Sequence, residues 1–364
     1  MKALQIHAGP VALARLRERG WQAGDVQVVP AAAGGPKGLV LLPLDRWLFG
    51  QWLAGPRERP LHLLGASIGA WRMACACKSE PMRALDELAE DYITQRYEHA
   101  PGRPPTPQAV SRGVRERLEQ RLGACAAEIL HHPDRRLHVF TSRGRHVLAR
   151  EGRWRTPVGY AGAFVANAVA RRALGGWLER VVFSDPRDPL PLALDDFRTR
   201  QVALRAENLA PAVQASCSIP FWLEAVHDIP GAPRGAYWDG GITDYHLHLP
   251  YRQPGGAGKR EAGLVLYPHF QPQVVPGWLD KPWRRRHRAT PWLDDVIVLS
   301  PSPAWVASLP GGKLPDRSDF KAYGDDEAAR QRTWRRAVAE SQRLADELAE
   351  RVGRQSVEDV LPLG

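Results

Sequence analysis

Three short stretches carry residue types that could do chemistry together. The first is Gly65-Ala66-Ser67-Ile68-Gly69, a Gly-x-Ser-x-Gly run. The mostly apolar Leu61–Leu64 before it reads as a buried strand, and Ala70–Cys77 after it reads as a helix. A serine at a sharp strand-to-helix turn is a nucleophile elbow: the turn lifts its hydroxyl beyond the strand end. The N-terminus of the helix beneath carries partial positive charge and favours an anion forming beside it. The second stretch is Gly34-Gly35-Pro36-Lys37-Gly38, after an apolar strand pattern at Val26–Ala31. Glycines there let backbone N–H groups point into open space, as an oxyanion site requires. A nucleotide-phosphate loop fits poorly, because Lys37 is followed by Gly38 and not by Ser or Thr. The third is Asp239-Gly240-Gly241, a turn that presents a carboxylate from a strand end. Each stretch taken singly also reads as an ordinary turn. Their order along one chain is the informative feature.

The elements that would position these residues alternate between strand and helix. Strand patterns fall at Val26–Ala31, Leu61–Leu64, Leu137–Thr141, His146–Ala149, Arg180–Ser184, Gln201–Ala206, Gly263–Tyr267 and Asp295–Leu299. Ser142–Arg145 reads as a hairpin connection. Helix patterns fall at residues 1–20, Leu39–Leu48, Pro81–Tyr97, Gln108–Leu130, Ala161–Leu178, Asn208–Cys217 and, as one long charged helix, Asp325–Arg351. Ala100–Pro107 and Gln253–Lys259 read as loops. Strands alternating with helices indicate a mostly parallel sheet with helices on both faces.

The chain has 364 residues, 44% of them hydrophobic and 25% charged, enough for one large α/β domain with a full core. The net charge is +10, with the basic residues densest at Arg284–Arg288. Such a surface favours phosphate-bearing partners, or is simply a solvated face. Cys75, Cys77, Cys125 and Cys217 have no metal-ligand spacing and read as small buried apolar residues in a reducing compartment. No signal segment is expected at Met1–His7. The longest apolar run, Gly159–Ala170, is stopped by Arg171-Arg172 well short of a membrane span.

In this order the three stretches resemble the patatin-like phospholipases, and Ala215-Ser216-Cys217-Ser218-Ile219-Pro220 is similar to the segment that precedes the acid in that family. The resemblance covers about residues 24–250. It implies a three-layer α/β/α sandwich with a mostly parallel central sheet, as a single domain with a C-terminal extension. It also implies a serine lipid acyl hydrolase, phospholipase A- or lysophospholipase-like, working through a Ser-Asp dyad without histidine. Carried over by position, Ser67 is the nucleophile and Asp239 the base. Gly34 and Gly35 supply oxyanion N–H groups, and Lys37 meets a phosphate headgroup. Two departures stand out: Ala33 replaces the first glycine of the family's run, and Pro36 has no N–H to offer.

No metal-ligand cluster or cofactor motif is visible, so a metal-free, cofactor-free mechanism is expected. The expected partners are a phospholipid or other acyl ester, with peripheral contact to anionic membrane and no nucleic acid. The expected location is cytoplasmic or peripheral at the membrane. A Ser-His-Asp triad using His246 or His248 also fits the chain order of roles. The same fold could also serve a non-catalytic lipid- or partner-binding protein, against which Ser67 and Asp239 argue, or an acyltransferase that passes the acyl group to an alcohol other than water. For the membrane contact, Trp278, Trp283, Arg284–Arg286 and Trp292 form a basic, aromatic candidate patch.

Overall fold

The ten-residue strand β4 is the rail along which the site is laid out. The computed structural model describes residues 1–96, 105–251 and 263–364. Its strands are β1 (Leu4–Ala8), β2 (Val26–Ala31), β3 (Leu61–Ala66), β4 (Arg135–Gly144), β5 (Leu178–Ser184), β6 (Thr199–Ala203), β7 (Val226–His227), β8 (Ala236–Asp239), β9 (Leu264–Pro268), β10 (Val296–Pro301) and β11 (Val360–Pro362). They form one sheet in the order β11-β1-β10-β9-β2-β3-β4-β5-β6, with β8 on β4 and β7 on β8. The five central strands from β10 to β4 run parallel; β1 runs antiparallel to β10, and β5 and β8 run antiparallel to β4.

Every residue of β3, β5, β9 and β10 is buried. Strands covered on both faces read as continuous apolar runs, which is why these segments are so rich in Leu and Val. Flanking helices complete the α/β/α sandwich expected from the sequence. Strands from outside residues 24–250 (β1, β9, β10 and β11) join the same sheet as β2 and β3.

Several elements differ from the expectation. Residues 1–20 are a strand followed by a helix, Pro10–Arg19. Leu4, Ile6 and Ala8 alternate inward against β10, and Pro10 opens the helix. Ser142–Arg145 is not a hairpin connection: β4 runs through it to Gly144. Polar residues are tolerated there because the sheet satisfies them. The Ser142 hydroxyl donates to the Asp239 carbonyl at 2.9 Å, and Arg143 pairs with Glu179 at 2.7 Å. His146–Ala149 is a 3₁₀ turn, not a strand.

The helix expected at Ala161–Leu178 lies at Arg155–Val169. The 108–130 pattern is broken by a π turn at Glu119–Gly123. The long C-terminal helix is two, Glu327–Glu340 and Gln342–Gly353. They part at Ser341, whose hydroxyl bonds back to the Val338 carbonyl. The Gln253–Lys259 loop and most of the 100–107 loop lie outside the described residues.

Candidate active site

Strands β3 and β8 meet end to end on one edge of β4. Ala66, the last residue of β3, sits opposite Phe140; Asp239, the last of β8, sits opposite the next residue, Thr141. One strand is parallel to β4 and the other antiparallel, so their C-terminal ends face each other. Ser67 follows Ala66, and its Oγ donates to Asp239 Oδ2 at 2.7 Å across 172 residues of sequence. The other carboxylate oxygen, Oδ1, accepts from the Gly241 N–H at 2.7 Å, so the Asp-Gly-Gly turn holds its own acid in place.

Ser67 has φ +56° and ψ −130°, a conformation that costs a residue with a Cβ about 1–3 kcal/mol. The neighbouring sequence makes room for it. A Cβ at Gly69 would drive into the Ala31 carbonyl oxygen, well inside contact distance. The first helical turn can therefore lie directly against the end of β2. Across the cleft, Gly35 has φ +56° and opens the 3₁₀ turn Gly35–Leu41, a conformation glycine adopts without that cost. Pro36 stands in the first turn of that helix, where an N–H has no intrahelical partner in any case.

Where β3 stops, Ser216 takes over its ladder. The Ser216 hydroxyl accepts from the Ser67 N–H at 2.8 Å and donates to the Phe140 carbonyl at 2.7 Å. The same segment tethers the acid: Asp239 N–H donates to the Ser218 carbonyl and Gly240 N–H to the Ser216 carbonyl. One turn further on, Asp244 accepts two bonds from the fully buried Arg180, at 2.6 and 2.8 Å. Ser216 lies in the segment before the acid, where its residue type alone assigns it no role, and no local pattern signals Arg180 or Asp244.

A cavity of about 240 Å³ opens beside this pair, lined in part by Asp239, Gly34, Lys37, Lys281 and Arg317. Gly35 borders the Arg317 guanidinium, and Ser67 itself is 3% exposed. Lys37 Nζ lies 5.3 Å from the Phe270 ring centroid, and Lys281 Nζ lies 4.1 Å from that of Tyr245. None of these three cations makes an ion pair among the described residues. Of the two acids that line the cavity with them, Asp316 pairs with Lys313 at 3.1 Å and Asp239 is bonded to Ser67. Burial, reinforced by Arg317 and Lys37, lowers Lys281 to about 8. Burial raises Asp239 above the usual carboxylate range; Arg317, the Ser67 hydroxyl, the Gly241 N–H and Lys281 oppose it. Lys281 and Arg317 were not among the expected site residues, since they are ordinary basic residues far along the chain.

The histidines lie elsewhere. His246 is fully buried and stacks on Tyr245, with its Nδ1 accepting from the Val275 N–H. His248 bonds Val274 and Thr290. Asp239 holds the serine directly, with no imidazole between them. Of the basic, aromatic candidate patch, Trp278 lines the cavity, Trp292 packs on His248, and Arg286 is tied to Asp280.

The model of the family described as patatin-like phospholipase matches residues 33–247. The chain belongs to that family. Membership supports a lipid ester hydrolase, and Ser67, Asp239, Gly34, Gly35, Lys37 and Ser216 all fall inside the match; Lys281 and Arg317 fall beyond it. Among curated proteins, none matches the sequence. Three solved structures are distantly similar. VipD from Legionella pneumophila is 13% identical, with 95% of this chain and 70% of that chain covered, at a TM-score of 0.37. Human GIVD cytosolic phospholipase A2 is 12% identical, with 97% and 66% covered, at 0.41. A chain of the ExoU-SpcU complex from the Pseudomonas aeruginosa type III secretion system is 12% identical, with 97% and 54% covered, at 0.35. Likenesses this distant leave the fold to be read from the sheet itself.

Proposed function

We propose that this protein hydrolyses carboxylic esters of lipids that carry an anionic headgroup, through a Ser67–Asp239 dyad and an acyl-enzyme. The observation that carries the reading is the 2.7 Å hydrogen bond from Ser67 to Asp239. Asp239 takes the Ser67 proton as Oγ attacks the ester carbonyl. The raised pKa of Asp239 makes it a stronger base than an exposed carboxylate. The tetrahedral oxyanion forms against the Gly34 and Gly35 N–H groups and the positive end of the Ile68–Ala76 helix. Asp239 returns the proton to the departing alkoxide. Water then attacks the acyl-serine with Asp239 again as base, and the acid leaves with Ser67 restored.

Lys37, Lys281 and Arg317 hold the headgroup. Three cations that line one cavity without direct ion pairs repel one another, and a bound phosphate relieves that repulsion. The test pairs a fluorophosphonate probe with a lysophospholipid panel varied only in headgroup charge. Wild type labels at Ser67; Ser67→Ala does not, and Asp239→Asn labels roughly 10²- to 10⁴-fold more slowly. Lys281→Met and Arg317→Met raise KM for anionic headgroups and leave kcat on a neutral short-chain ester near wild type. Labelling of Ser67→Ala at the wild-type rate would remove the dyad. An unchanged KM in both cation variants would remove the headgroup assignment.

A further inference from the structure

The helix Arg155–Val169 is apolar on both faces. Its inner face, with Tyr160 and Ala163, is buried against the Trp238 cluster. Its outer face is not covered: Val158 is 58% exposed, Val165 62% and Val169 80%, and Trp154 at its start is 74% exposed. No charged residue occurs from Thr156 to Ala170. A helix hydrophobic all round belongs inside a protein or a membrane, and this one lies at the surface.

Two other loops extend the same surface. Phe221 and Trp222, each more than half exposed, lie beside the helix through the Phe221 ring, 6.1 Å from Tyr160. The Trp283 ring stacks on Phe164 at 6.4 Å. Contiguous exposed apolar surface of this kind marks an interaction site.

The charge around it is mainly positive, although Glu151 lies between Arg150 and Arg153 and Glu224 lies two residues past Trp222. Arg150, Arg153, Arg155 and Arg172 flank the helix, and Arg284, Arg285 and Arg288 follow Trp283; all seven are exposed and none makes an ion pair among the described residues. An apolar centre with aromatic side chains at its margin and a basic rim complements an anionic lipid interface. Fifteen helical residues reach roughly 22 Å, short of a bilayer core, and no helix of the described residues is long and apolar enough to cross a membrane.

We propose that this face, the Arg155–Val169 helix with Phe221, Trp222 and Trp283, lies in the plane of an anionic bilayer and docks the protein there. The same loops reach the cavity. Ile219 lines it two residues before Phe221, and Lys281 lines it two residues before Trp283. At about 240 Å³ the cavity takes a headgroup and ester but no long acyl chain. Docking on this face leaves the chains in the bilayer while the ester reaches the cavity.

The inference rests on exposure and charge, and it stands whether or not Ser67 is the nucleophile. The test is co-sedimentation of the full chain with phosphatidylcholine vesicles, with and without phosphatidylglycerol. Wild type binds the phosphatidylglycerol vesicles, and added salt weakens binding. Val158→Asp with Val165→Asp lowers vesicle affinity about 100-fold, and the uncharged pair Val158→Ser with Val165→Ser lowers it less, in the same direction. Arg153→Ser, Arg155→Ser and Arg172→Ser together erase the preference for phosphatidylglycerol. Fluorophosphonate labelling and near-ultraviolet circular dichroism stay at wild type throughout, which separates lost docking from a lost fold. Failure of wild type to bind would overturn the inference, as would unchanged binding in both valine pairs. So would a wild-type dimer that these pairs dissociate while vesicle binding persists, since the face would then meet a second copy of the chain.

Discussion

Replacing Ser216 by alanine removes one hydroxyl that serves two backbone groups. It accepts from the Ser67 N–H at 2.8 Å and donates to the Phe140 carbonyl at 2.7 Å, and Ser216 is fully buried. Alanine fits the same space but leaves a buried donor and a buried acceptor facing each other, too far apart to bond directly. Each unsatisfied group costs about 1–3 kcal/mol, so Ser216→Ala should lose about 3 kcal/mol of stability after some relaxation. The N–H left unpaired belongs to Ser67, the proposed nucleophile, whose φ of +56° needs surroundings that hold it. Labelling by a fluorophosphonate should therefore slow by about tenfold, a loss of about 1.4 kcal/mol in the barrier.

Ser218→Ala is the control. That hydroxyl donates to the Gln214 carbonyl one helical turn back and serves no second group. Its loss should cost less than about 1 kcal/mol and leave labelling unchanged. Urea unfolding and labelling rates of the two variants, measured side by side, decide the matter. A Ser216→Ala protein within about 0.5 kcal/mol of wild type that labels normally would refute the claim that this hydroxyl splices β3 to β4.

Two further outcomes follow from buried charge. Arg72, in the helix after Ser67, is paired in two bonds with Asp45, at 2.7 and 2.9 Å, and both are buried. Asp45→Asn leaves a buried guanidinium without its counter-charge and should cost about 3–5 kcal/mol in urea unfolding; a cost below about 1 kcal/mol would show that the pair does not hold the elbow helix. His62 and His248 are held neutral, each lowered to about 4, chiefly by burial. Below pH 6.5 the unfolded chain binds protons that the folded chain refuses. Stability should thus fall, as pH drops from 6.5 toward 4, by about 1.4 kcal/mol per pH unit for each histidine. Equal urea midpoints at pH 7 and pH 5 would contradict this.

The Ser67 turn, the Asp239 strand end and the glycine loop were legible in the sequence because their constraints are local. A sharp turn at Ser67 needs glycine two residues away, and a carboxylate at a strand end needs a turn behind it. The alternation of strands and helices likewise announced the layered architecture. Boundaries failed where satisfaction came from a distance. Ser142 and Arg143 look like turn residues until Asp239 and Glu179 are beside them, and the partners of His246 and His248 lie on a segment far along the chain. Distance along the chain also hid Ser216, Lys281, Arg317 and the Arg180–Asp244 pair, whose partners lie on other elements. The sequence by itself determined which groups could react. Only the tertiary structure decided that they meet: β4 outruns β3 by enough residues for an antiparallel strand to fill the vacant edge, and Ser67 and Asp239, 172 residues apart, come to face each other there. Ladder pairing is non-local, so no window of sequence contains it.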